Sequence, residues 1–132
     1  MKTKPIILTA LLVASFLAVS CGKDDPMSPY QPEIANITDN FQFQITSAQN
    51  LDHSENYVWR NTGSQATINQ SCAITGGSAI VSLTDSTGAV LYTGNLDDDG
   101  TFQSAAGVAG LWTIRVVFSN LDGTINFRAQ KL

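Results

Sequence analysis

An all-β domain, a single small β-sandwich of jelly-roll type with about eight strands, is the fold the sequence predicts, set behind a removable leader and a spacer. Three observations predict it. Apolar and polar residues alternate in short runs, turn-forming residues separate the runs, and no stretch carries a helical period. About eight short strands, each with one apolar face, cannot be covered by one flat sheet, so two packed layers are required. The divisions that follow are 1–20 for the leader, 21–37 for the spacer and 38–132 for the sandwich.

The leader opens with Lys2 and Lys4, continues through an apolar run from Ile6 to Val19 and closes on small residues, the three parts of a secretory signal. Thr9 and Ser15 interrupt the run, which is shorter than the roughly 20 residues that cross a bilayer. Its end, Leu17-Ala18-Val19-Ser20-Cys21, resembles the lipobox of bacterial lipoproteins, with Ala18 where a leucine is usual. The resemblance implies that the Cys21 thiol receives a diacylglycerol, that the leader is cut before it and that the new amino terminus is acylated. Two or three acyl chains, at about 0.8 kcal/mol per buried CH₂, hold a protein on a membrane durably. The next residues, Gly22-Lys23-Asp24-Asp25, are similar to the export signal of Bacteroidota lipoproteins. They imply a lipid-anchored protein of the outer membrane that faces outward from the cell.

Losing Lys2 and Lys4 with the leader takes the net charge from −4 to −6. The remaining cations, Lys23, Arg60, Arg115, Arg128 and Lys131, form no basic run, which argues against nucleic acid as a partner. With Cys21 acylated, Cys72 stands alone. It alternates with Ala66, Ile68 and Ile74, which predicts a buried, inert thiol.

Taken in order, residues 23–32 are polar and hold Pro26, Pro29 and Pro32, so they read as a semi-extended linker. Phe41, Phe43 and Ile45 alternate with Gln42, Gln44 and Thr46 in a first strand that has one wet face. Residues 50–56 read as a polar loop, and Tyr57 and Trp59 share a face of the short run after it. Asn61-Thr62-Gly63 turns into the run carrying Cys72, and Thr75-Gly76-Gly77 turns again into residues 79–84. Asp85-Ser86-Thr87-Gly88 reads as a hairpin loop, because Asp supplies a local hydrogen bond and Gly a positive φ. Finally, Trp112, Ile114, Val116 and Phe118 alternate with polar residues, Asn120-Leu121-Asp122-Gly123 reads as a turn, and Ile125, Phe127 and Ala129 alternate again. This predicts a closing hairpin with Arg115 and Arg128 on its wet face.

The stretch Gly110-Leu111-Trp112-Thr113-Ile114-Arg115-Val116, with its return at Gly123-Thr124, resembles the closing strands of bacterial pre-peptidase C-terminal domains and of proprotein-convertase P domains. It covers about the last quarter of the chain. The resemblance implies a jelly-roll accessory module without catalytic machinery, and no functional residue carries over.

Residues that could do chemistry are few. His53, the only histidine, lies between Asp52 and Glu55, and no Gly-x-Ser-x-Gly stretch supplies an activated serine, so an enzyme is not expected. Asn95, Asp97 and Asp99, followed by Gly100, occupy positions one, three, five and six of a calcium loop. Ala106 replaces the twelfth-position glutamate, so the loop is a candidate for structural calcium and not an EF-hand. Zinc would need three or four ligands, which one histidine and one buried thiol do not provide. Tyr57, Trp59 and Tyr92 are candidates for stacking on sugar rings. Trp112 lies on an apolar face and belongs to the core. Asp85-Ser86-Thr87 resembles the acceptor of Bacteroidota O-glycosylation, which would place Ser86 at an exposed hairpin tip. The function expected is a non-catalytic, surface-anchored sandwich that binds a glycan, a protein or a neighbouring subunit, the alternative being a structural or assembly spacer of the envelope.

Overall fold

A computed structural model describes residues 25–132. The leader, Cys21, Lys23 and Asp24 lie outside the described residues. The chain is all-β, as its alternation predicts, with seven antiparallel strands: β1 (Glu33–Ile37), β2 (Asn40–Asn61), β3 (Ala66–Gln70), β4 (Ala73–Thr84), β5 (Val90–Asn95), β6 (Gly100–Gln103) and β7 (Gly110–Lys131).

Two of these strands are 22 residues long and organise the rest. β2 and β7 pair with each other from end to end, Asn40 against Gln130 at one extreme and Asn61 against Gly110 at the other. Neither is straight. The register shifts three times between Ile45 and His53, where Ser47 and Asn50 on β2, and Asn120 on β7, take positive φ. Bulges of this kind bend a strand without ending it, and the ladder folds back on itself.

One half of the bent ladder, the start of β2 and the end of β7, carries β1 on one side and β3 then β6 on the other. The other half, the end of β2 and the start of β7, carries β4 then β5. The inner faces meet as a sandwich. Phe43 lies 6.0 Å from Phe118 and Phe41 lies 5.3 Å from Tyr57, ring centre to ring centre, each pair crossing from one half to the other. Trp59 and Trp112 meet edge to face at 5.9 Å, an arrangement suited to their opposed ring charges, and both are fully buried. Trp112 is thus a core residue, as its position in the alternation predicts.

Three expected breaks are absent. Residues 50–56 continue β2, and residues 120–123 continue β7, so the strands on either side of Asn120 pair with β2 and not with each other. Residues 75–77 lie within β4 across two register shifts, and the chain turns earlier, at residues 71 and 72. The cause is shared: Asn and Gly adopt positive φ as readily in a bulge as in a tight turn. Fewer breaks give seven strands where about eight are expected. The Asp85 to Gly88 loop does join β4 to β5 as a hairpin.

The spacer is more structured than its prolines suggest. A 3₁₀ turn forms at Ser28–Tyr30, β1 begins at Glu33, and Met27 is buried in the core. Just before the turn Asp25 Oδ1 accepts from the Met27 N–H at 2.9 Å, and the Tyr30 hydroxyl donates to the Gln49 carbonyl at 3.0 Å. Cys72 sits at the connection between β3 and β4, half-buried, its Sγ within 3.4 Å of both the N–H and the carbonyl of Asn126. Burial raises its pKa, which keeps the thiol protonated and little reactive at neutral pH.

Candidate functional site

The aromatic residues expected to stack on sugars do not form a platform. Trp59 is fully buried, its indole N–H donating to the Ile37 carbonyl at 3.1 Å, so packing and not display fixes its place. Tyr57 faces inward against Phe41 and Phe43. Burial first, then the charges of Glu55 and Asp25, push its pKa up to about 12. Tyr92 packs against Phe102, and its hydroxyl donates to Gln70 Oε1 at 2.7 Å. Sequence alternation places an aromatic on a face but does not say whether a second layer covers that face.

The acidic turn is likewise held by the protein itself. Asn95 Oδ1 accepts from the Asp97 N–H at 3.0 Å, and Asp99 Oδ1 accepts from the Cys72 N–H at 2.8 Å. The buried Gln70 amide donates to the carbonyls of Asn95 and Asp98, pinning the turn from beneath. The side-chain oxygens of Asn95 and Asp99 are thus already engaged by separate backbone N–H groups, and no three acidic, histidine or cysteine side chains converge among the described residues.

His53 is not in a loop. It lies on β2, half-buried, with Nε2 3.0 Å from Glu55 Oε2. Among the described residues no hydroxyl or thiol hydrogen-bonds its other ring nitrogen. Ser86 is exposed at the β4–β5 hairpin tip, its hydroxyl 3.3 Å from the carbonyls of Val108 and Ala109. Asp85 beside it is buried and shapes the loop. Its Oδ1 accepts from the Thr87 hydroxyl and the N–H groups of Thr87 and Ala89, and its Oδ2 from the Val108 N–H.

Among the described residues, two concavities bear on a site. One lies at the bend, about 580 Å³, between residues 47–50 and 122–124. Its polar groups close the bulges: Ser47 N–H donates to Thr124 Oγ1, and Asn50 N–H donates to Asp122 Oδ1. The other, about 340 Å³, is an open groove on the outer face of the half-sheet formed by β2, β7, β3 and β6.

The register builds this groove. Gln42, Arg128, Asn69 and Thr101 stand side by side across four strands. Asn126 lies two residues along β7, with Ser71 beside it and Gly100 at the end of β6. These side chains point outward because their neighbours Phe41, Phe43, Phe127, Ala129 and Ile68 point into the core, the period of two that a strand imposes. The row is cross-linked: Arg128 donates to Gln42 Oε1 at 3.3 Å and Thr101 Oγ1 to Asn69 Oδ1 at 2.8 Å. The sequence marks Gln42 and Arg128 as members of wet faces. Their convergence depends on β3 and β6 pairing beside β7, which no local pattern announces.

No protein-family model and no curated protein matches the chain.

Proposed function

We propose that this protein is a non-catalytic glycan-binding module, held on the outer membrane by acylated Cys21 and displayed outward. The observation that carries the reading is the groove across β2, β7, β3 and β6, whose lining is amide, hydroxyl and guanidinium groups, the donors and acceptors that match sugar hydroxyls. The backbone of the groove is held by the paired strands β2, β7, β3 and β6, so its shape does not depend on a ligand to form. The anchor rests on the lipobox resemblance at Cys21, and the outward display on the resemblance of Lys23-Asp24-Asp25 to an export signal. Ser86, exposed at the tip of its hairpin, has the access that an O-glycosylation acceptor needs.

The test is thermal unfolding of the protein against a panel of neutral and acidic oligosaccharides. A ligand of the folded state at a hundred times its dissociation constant adds about 2.7 kcal/mol of stability. A rise in Tm that is lost in Asn69→Ala, with Trp59→Phe still responding, supports the reading. No rise with any glycan favours an envelope spacer. Labelling with radioactive palmitate, lost in Cys21→Ala, tests the anchor separately.

A further inference from the structure

Resting on the glycan reading, we infer that the groove is specific for acidic sugars, with Arg128 receiving the carboxylate of a uronic-acid residue. The hydrogen bonds within the row leave donors in excess. Gln42 Oε1 already accepts from Arg128 and Asn69 Oδ1 from Thr101. The Nε2 amide of Gln42, the Nδ2 amide of Asn69 and the rest of a guanidinium that has five N–H groups and uses one on Gln42 outnumber the acceptors beside them, the hydroxyls of Thr101 and Ser71 and the amide oxygen of Asn126. A donor-rich groove selects a ligand rich in acceptors.

Charge selects in the same direction. The protein is acidic, yet no carboxylate lines the groove; Asp99 stands beyond its Gly100 end and Glu33 beyond Gln44 on β1. Arg128 forms no ion pair among the described residues, whose pairs are His53 with Glu55 and Lys131 with Asp39. An exposed guanidinium set among neutral amides matches a carboxylate by two parallel hydrogen bonds. It also matches one negative charge and no more. No second cation lines the groove, and Asp99 adjoins its Gly100 end, so a phosphate dianion would meet about twice the repulsion that a sugar carboxylate does.

The lining also separates a sugar from a peptide carboxylate. Among the described residues that line the groove with Arg128, none is an apolar side chain that would grip one of a peptide. Instead the polar surface extends along the strands, with Gln130 and Thr67 paired on one side of the row and Gln44 opposite Asn126 on the other. This is a strip suited to successive hydroxyl groups of a polymer.

The experiment is titration calorimetry of detergent-solubilised full-length protein with oligomers of galacturonate, mannuronate and hyaluronan, each beside its methyl ester. Esterification removes the charge and leaves the sugar backbone. At least one acid form is expected to bind, with the ester about ten- to hundredfold weaker, the size of one charged hydrogen-bonded contact. Arg128→Gln should weaken the acid form by a similar factor and remove the difference between acid and ester, with the Tm little changed. Arg128→Lys should fall between, and Arg115→Gln on the opposite half-sheet should bind as the parent does. Equal binding of acid and ester, or of parent and Arg128→Gln, overturns the acidic specificity while leaving a glycan module in place. Tighter binding of inorganic phosphate or of an acidic peptide also overturns it. Absence of binding by every acid and ester overturns both the specificity and the module.

Discussion

Asp85 shows how one buried carboxylate can define a loop. The Thr87 hydroxyl, the Val108 N–H and the N–H groups of Thr87 and Ala89 hold its pKa down to about 2, against the opposing effect of burial. A carboxylate whose folded pKa is depressed contributes stability above its ordinary value near 3.8 and loses it as the pH falls through about 2. Asp85→Asn should therefore lower the Tm at pH 7 by a few degrees, and the gap from the parent should close as the pH approaches 2. A pH series of melting curves reads both. Trp59 makes the complementary case. It is a core residue by contact, so Trp59→Ala should destabilise the fold by about 3–5 kcal/mol, measured by urea unfolding, and Trp59→Phe by less. A surface aromatic of a binding platform would give the opposite pattern, lost binding with an unchanged Tm.

At the scale of elements, the long β2–β7 ladder depends on residues that allow it to bend. Gly77 on β4 has φ 70°, and a Cβ there would collide with the Asn120 backbone carbonyl at the bend of β7. Gly77→Ala should cost at least about 1–3 kcal/mol, the range for a residue forced into a disfavoured backbone region, and the clash adds to it. Equilibrium urea unfolding checks this, with Gly88→Ala as the comparison, since space is open at Gly88 and only its φ is unfavourable. The alternation of Phe41, Phe43 and Ile45 and of Trp112 through Phe118 is legible in the sequence because a half-buried strand imposes it. The Asp85 hairpin is legible because its turn chemistry is local. What is not legible is whether Asn50, Asn120 and Gly77 end a strand or bend one, since both outcomes need the same φ, and the partner strand decides. The groove is hidden for the same reason. Gln42 and Arg128 are 86 residues apart in sequence and meet only through pairing of the ladder.

For the whole molecule, the segment before β1 is part of the fold. Met27 fills the core, so Met27→Ala should cost about 2–5 kcal/mol, the range for truncating a buried aliphatic or Met side chain. A chain starting at residue 33 should melt lower than one starting at residue 25. Comparing the two melting curves checks that, and equal Tm values would show that residues 25–32 are dispensable. Met27 lies only six residues beyond Cys21. Six residues reach at most about 20 Å when fully extended, less than the chain length of either long strand. Under the proposed acylation of Cys21, that span would hold the domain on a short leash, sweeping a thin layer above the lipid. Its encounters would then be governed by lateral diffusion and by how far a polymer reaches down, so that long, flexible chains trailing onto the membrane would be captured before compact ones that remain above it.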